Sequence, residues 1–130
     1  MSRTSLKVEL LSHTPHPDEV VATGARMCYS SAGVEDLIRG VAEKDQSKYL
    51  QRIVDMGHLS PIEHASFTFA VEGVSRALLA QITRHRIASF SVQSQRYVSQ
   101  ANQMGSFPYI LPPSIEALGP EAVAEYDRQM

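Results

Sequence analysis

Residues 84–96 read Arg-His-Arg-Ile-Ala-Ser-Phe-Ser-Val-Gln-Ser-Gln-Arg. Three guanidiniums, one imidazole, three hydroxyls and two amides stand there with no acid among them. The chemistry such a set can do is to hold an anion. Arg84, Arg86 and Arg96 offer forked donors that match phosphate or carboxylate oxygens, and Ser89, Ser91 and Ser94 add hydroxyl donors. A structural explanation competes with this one. Cations in the last turn of a helix are favoured by its exposed carbonyls, by about 0.3–1 kcal/mol each. That accounts for Arg84, His85 and Arg86 without any function. It does not account for Ser94 and Arg96, or for the missing acids, so an anion or nucleotide site is the stronger reading.

A second polar group is His58, Ser60, Glu63 and His64. The two histidines lack the i, i+4 spacing of a helical zinc site, and Pro61 would break such a helix. No metal is expected. Two readings stay open: a turn whose polar groups satisfy local backbone, or a polar loop serving the same pocket as the arginines. Cys28 lies on the inner side of a helical pattern, where a lone cysteine is more often a small core residue than a nucleophile, and no flanking base would lower its pKa. Thr23-Gly24-Ala25-Arg26 is not a phosphate loop. No G-x-G-x-x-G occurs, so no dinucleotide is held in the Rossmann manner.

The elements that must position these groups are legible from periodicity. Leu6, Val8 and Leu10 alternate with Lys7, Glu9 and Leu11, a first strand. His13 to Pro17 is a turn, after which Asp18 is placed to cap a helix running to about Tyr29, with Val20, Val21, Ala25 and Cys28 or Met27 inward. A short helix is predicted from Val34 to Arg39. A stronger one starts near Lys44 or Asp45, carries Tyr49, Leu50, Ile53, Val54 and Met56, and ends at Gly57. Ser66 to Val74 alternates as a strand. Ser75 caps a helix from Arg76 to about His85, with Leu78, Leu79 and Ile82 as its core stripe. Ala77, Gln81 and Arg84 share another face. After Ser89 extended chain would project Ser94 and Arg96 to one side. Phe107 to Pro113 is irregular. Glu116 to Met130 reads as a helix with Tyr126 facing a core, and the pattern runs to the last residue without a stop signal.

The chain has 130 residues, the size of one domain. Its net charge of −2 argues against a general nucleic-acid or anionic-membrane binder, which is usually basic. The positive charge of residues 84–96 is therefore local. A single cysteine and no apolar signal-peptide core point to a cytoplasmic setting. No apolar run reaches membrane-spanning length.

Arg84 to Arg96 fits R-H-R-x-x-S-x-x-x-x-S-x-R at every fixed position, and this resembles the signature of flavin-dependent thymidylate synthases. The flanks agree. Gly57-His58-Leu59-Ser60-Pro61-Ile62-Glu63-His64 followed by Phe67-Thr68-Phe69 is similar to the family's G-H-x-[ST]-x-x-E-H-x-x-F-x-F passage, and Arg26-Met27-Cys28-Tyr29-Ser30 resembles its early helix end. The resemblance implies an α+β fold, a mostly antiparallel sheet packed by helices (the thymidylate synthase-complementing protein fold). It implies reductive methylation of dUMP to dTMP, with 5,10-methylenetetrahydrofolate as carbon source, FAD as flavin and NADPH as reductant, in a homotetramer that involves neither nucleic acid nor membrane. By the same resemblance, His58, Ser60, Arg84, His85 and Arg86 contact FAD. Gln81, Arg84, Ser94, Gln95 and Arg96 bind the nucleotide, with Ser94 and Arg96 at its phosphate.

The chain departs from the family pattern in two places. Ser91 and Val92 stand where many members carry Asn or Ser and then Glu or Gln. Valine offers no hydrogen bond, and Gln93 is the nearest replacement. Family members are also longer, and the arginine that polarises the uracil ring lies in their second half, so no catalytic residue is assigned here. The expectation is an N-terminal part of such an enzyme, inactive or weakly active alone. Two rivals remain: a nucleotide- or flavin-binding fragment that is catalytically incomplete, and a basic-loop RNA binder. The second is disfavoured by the net acidity and by only Phe90 and Tyr97 as nearby aromatic platforms.

Overall fold

The computed structural model describes residues 2–98 and 108–130. Its elements in chain order are β1 (Ser2–Arg3), β2 (Lys7–His13), α1 (Pro17–Met27), α2 (Val34–Ala42), α3 (Ser47–Asp55), a 3₁₀ turn (Ser60–His64), β3 (Phe67–Glu72), α4 (Arg76–Ile82), β4 (Pro108–Tyr109), α5 (Pro113–Glu116) and α6 (Pro120–Gln129). The class is α+β. β2 pairs with β3, and the strands run antiparallel. The Thr14 amide donates to the Ser66 carbonyl (2.9 Å) at one end, and Lys7 meets Glu72 (2.7 Å) at the other. β1 pairs with β4 in parallel, Ser2 opposite Pro108 and Arg3 opposite Tyr109. Internal contacts divide the chain into two units, residues 10–70 and residues 1–9 with 71–130.

Within residues 10–70 the core is helical. α1 packs on α2, α3 and the 3₁₀ turn, burying Val21, Ala22 and Ala25 of α1, Val41 of α2 and Ile53 of α3. The small residues on α1 let these elements approach closely. A buried glutamine joins two helices. Gln46 donates both amide hydrogens, to the carbonyls of Val41 and Lys44 (2.8 Å each). Its oxygen is thereby turned to accept from Arg26 Nη2 (3.2 Å), and the Arg26 guanidinium lies 4.0 Å from the centroid of the Tyr49 ring. Gly24 sits inside α1 because a Cβ there would come within 2.9 Å of His64 Cδ2.

In the other unit α6 is tied to β1 and β4. Arg3 pairs with Asp127 (2.5 Å), the Tyr109 hydroxyl donates to the same carboxylate, and the Tyr126 hydroxyl donates to the Ile110 carbonyl (3.2 Å). Tyr109 is the buried member of this group.

Several sequence expectations need correction. Asp18 does not cap α1; the cap is His16, in the left-handed region (φ 45°) and without a side-chain cap bond, while Pro17 takes the first helical position because its missing N–H costs nothing there. Val20, Met27 and Cys28 are exposed rather than inward, so the core reading of Cys28 fails. Val21 and Ala25 are buried as expected, and Ala22 joins them. α2 runs on to Ala42. The predicted final helix starts at Pro120 rather than at Glu116, and a separate short helix, α5, precedes it across Gly119 (φ 97°). Phe107 lies outside the described residues. Every residue of β2 and β3 is exposed, so the alternation correctly located the strands without locating a core.

Candidate functional site

The anion-suited segment begins at α4. Ser75 caps this helix as expected, its hydroxyl accepting from the Leu78 amide (3.1 Å). The helix stops at Ile82, three residues before the predicted end. Thr83 turns its hydroxyl back onto the Leu79 carbonyl (2.7 Å), a competition with the backbone ladder that suits a helix end. Gln81 is therefore in the helix while Arg84 is not, and the shared helical face predicted for them does not extend to Arg84. Arg84 and His85 are held by single-turn bonds, Arg84 N–H to the Gln81 carbonyl and His85 N–H to the Ile82 carbonyl (3.1 Å each). Arg84, His85 and Arg86 thus follow the last turn rather than occupy it, which removes part of the helix-end explanation for their charges.

Ile87 next adopts a φ of +60°. A β-branched residue there is strained, and the turn redirects the chain after the Arg-His-Arg triplet. Arg76, at the start of α4, donates to the Gln93 carbonyl (3.0 Å), so the segment returns to the helix it left. Ser94, Gln95 and Arg96 then form a turn, where extended chain was expected. The Arg96 amide donates to Ser94 Oγ (3.1 Å) and the Val98 amide to the Ser94 carbonyl (3.2 Å). Ser94 and Arg96 are still brought together, by the turn instead of by strand periodicity. Because Ser94 Oγ accepts within the turn, its own hydrogen is left to donate outward. Arg96 lies with its guanidinium carbon 5.7 Å from the Tyr97 ring centroid. Gln81, Arg84, His85, Arg86, Gln95 and Arg96 are exposed and Ser94 is half-buried. Among the described residues Arg84, Arg86 and Arg96 enter no ion pair.

His58 and Ser60 belong to the other unit. α3 ends, as read from the sequence, at Gly57 (φ 72°), and the His58 amide closes back onto the Ile53 carbonyl (3.1 Å). His58 Nδ1 lies 3.3 Å from the Tyr29 hydroxyl, and the two rings meet edge to face. Ser60 opens the 3₁₀ turn and is exposed. His64 instead packs on Gly24. Among the described residues no group of three or more His, Cys, Asp or Glu gathers to hold a metal. None of their helices is long and apolar enough to cross a membrane.

Among the described residues, cavities lie away from the predicted residues. One of about 360 Å³ is lined by Pro15, His16, Glu19, Val20, Thr23, Ile38 and Val41; another, of about 150 Å³, by Arg26, Asp36, Leu37, Gly40 and Lys44. What sequence reasoning missed is the support of the loop. Tyr29 against His58, and Arg26 on Gln46 and Tyr49, join residues twenty or more positions apart, and no periodicity encodes such pairs.

The family model described as "Thymidylate synthase complementing protein" matches residues 9–130. The flavin-dependent thymidylate synthase of Clostridium tetani is 52% identical over 111 residues, covering 85% of this chain and 43% of that protein. That of Geobacter sulfurreducens is 47% identical over 112 residues, 86% of this chain and 47% of that protein. That of Nitratidesulfovibrio vulgaris is 47% identical over 135 residues, the whole of this chain and 53% of that protein. The chain thus spans about half the length of the curated relatives it matches. With a match of this extent, an α+β architecture and an acid-free arginine segment that ends in a serine–arginine turn, the chain belongs to the thymidylate synthase complementing protein family, alongside these flavin-dependent thymidylate synthases.

Proposed function

We propose that this chain is a single domain-sized, N-terminal part of a flavin-dependent thymidylate synthase, which converts dUMP to dTMP with 5,10-methylenetetrahydrofolate, FAD and NADPH. The observation that carries this is the donor set itself. Arg84, Arg86 and Arg96 are exposed and enter no ion pair among the described residues, and the Ser94 hydroxyl has a hydrogen to give. A nucleotide monophosphate carries close to two negative charges and a flavin dinucleotide carries a pyrophosphate, so forked guanidiniums and short hydroxyls fit both.

Arg84, His85 and Arg86, with His58 and Ser60, hold FAD. Gln81, Arg84, Ser94, Gln95 and Arg96 hold dUMP, with Ser94 and Arg96 at the phosphate. When bound, the flavin supplies the hydride chemistry, and the protein supplies orientation and electrostatics. Arg96 and Ser94 fix the nucleotide by its phosphate, so the ring is presented in one place; positioning of this kind contributes much of a rate. The protein works as a homotetramer in the cytoplasm. The exposed apolar side chains Val8, Leu10, Phe67, Phe69 and Val71, each half-exposed or more, support an assembled state, because a two-stranded sheet is marginal in water by itself.

The second reading is a binding fragment that lacks catalysis. It is favoured by the half-length match to the relatives. Titration of the purified chain with FAD and with dUMP, followed by absorbance and calorimetry, tests the shared binding claim; both are expected to bind. Arg96→Ala is expected to weaken dUMP binding roughly 10- to 100-fold, the loss of a charge-assisted hydrogen bond worth about 1.5–3 kcal/mol, and to leave FAD binding nearly unchanged. Equal loss of both ligands would refute the division of the segment. Turnover with FAD, NADPH and folate separates the two readings, and the chain alone is expected to be inactive or weakly active.

A further inference from the structure

We infer that Tyr29 is a positioning residue for His58, holding its imidazole as the Nε2–H tautomer, with Nε2–H free to donate to an acceptor oxygen of the bound flavin. The inference rests on the proposed place of His58 at the flavin site. Its basis is geometric. The Tyr29 hydroxyl stands 3.3 Å from His58 Nδ1. The ring centroids are 5.7 Å apart, at 81° to each other, so one contact fixes both the tilt and the edge of the imidazole. Tyr29 is 75% exposed, and burial therefore does not explain its place.

Both partners hang on anchored backbone. The Tyr29 amide bonds the Arg26 carbonyl (3.1 Å), and Arg26 is itself clamped by Gln46 and Tyr49. The His58 amide bonds the carbonyl of Ile53, which is 2% exposed. The end of α1 is held through Arg26 and His58, three residues past α3, through the Ile53 carbonyl, so the hydroxyl-to-imidazole contact lies between two anchored segments.

The phenol oxygen can donate to Nδ1 or accept from it; Tyr29 is assigned as the donor. A neutral imidazole has one donor and one acceptor nitrogen, and a phenol has one hydrogen. With Tyr29 donating to Nδ1, the ring hydrogen resides on Nε2, at the opposite side of the ring. The partner at one nitrogen decides what the other can offer, as at metal-bound histidines. A flavin dinucleotide presents phosphate and carbonyl oxygens, which are acceptors, so Nε2–H is the complementary form.

Tyr29→Phe keeps the ring edge and removes only the hydroxyl. The test is long-range ¹H–¹⁵N NMR of the His58 ring in the flavin-free protein. The wild type should show the Nε2–H pattern, and Tyr29→Phe a mixture of tautomers with an unchanged melting temperature. FAD affinity should fall roughly two- to tenfold, the range of one neutral hydrogen bond. On a His58→Ala background, Tyr29→Phe should have no further effect on FAD affinity. A pure Nε2–H pattern surviving in Tyr29→Phe, or an equal FAD loss on both backgrounds, would overturn the inference. If the wild-type chain binds no FAD, the flavin reading fails, while the tautomer measurement still decides the role of Tyr29.

Discussion

Ile87 directly follows the Arg-His-Arg triplet and is held at φ +60°. An L-residue in that region costs roughly 1–2 kcal/mol, and a branched Cβ offers no local hydrogen bond to offset it. It is also exposed, so its side chain gains little by being there. Ile87→Gly is expected to raise stability by about 1 kcal/mol, read as a higher denaturant midpoint with an unchanged m-value. A lowered midpoint would mean that the side chain is held by contacts that outweigh the strain. The same residue shows a limit of pattern reading. Isoleucine in a hydroxyl-rich stretch reads as extended chain, and its propensity gives no hint of a left-handed turn. By contrast Ser75 and Gly57 were legible, because a capping hydroxyl and a C′ glycine carry their chemistry in the residue type.

At the scale of elements, two glycines with the same backbone sign separate strain from space. Gly57 (φ +72°) ends α3, and a Cβ added there would meet nothing within 4 Å, whereas at Gly73 (φ +71°) a Cβ would fall 2.0 Å from the Ser5 carbonyl oxygen. Gly57→Ala is expected to cost about 1 kcal/mol, the left-handed penalty alone. Gly73→Ala adds a collision with backbone that cannot swing aside, and should cost at least about 2 kcal/mol more. Thermal melts of the two variants check this; equal losses would show that the backbone at residue 5 yields freely. Helix and strand positions followed from periodicity, and α3, β2 and β3 lie close to where it put them. Helix ends were less legible. α4 stops at Ile82 because Thr83 bonds back to the Leu79 carbonyl, and that choice between a hydroxyl and the backbone ladder is made by local geometry.

In the molecule as a whole, the N-terminal strand is anchored by charge. The Arg3 guanidinium, and after it the Tyr109 hydroxyl, hold the Asp127 carboxyl below its usual range. A carboxylate with a depressed folded-state pKa stabilises above the unfolded value, near 3.9, and loses that contribution as pH falls through the folded value. The wild type should therefore lose stability on acidification below about pH 4, and Asp127→Asn should be less stable at neutral pH with a flatter acid limb. Melting temperature against pH checks both. Parallel acid limbs would mean that the pair contributes nothing to folding. The anchor joins residues 3 and 127, and nothing in either neighbourhood of the sequence announces the other.

By itself the sequence determined the family, because its motif is written in residue type and spacing along a short stretch, and through that resemblance the α+β class; it also put three arginines and three serines with no acid among them into thirteen residues. Only the tertiary structure decided which of those donors meet. It turned Ser94 and Arg96 together through a bend where strand periodicity had predicted extension, set Arg84 beyond its helix, and placed Tyr29 on His58. Those outcomes depend on contacts between distant residues and on backbone angles, and the free energy that selects them is not a property of any window of the chain.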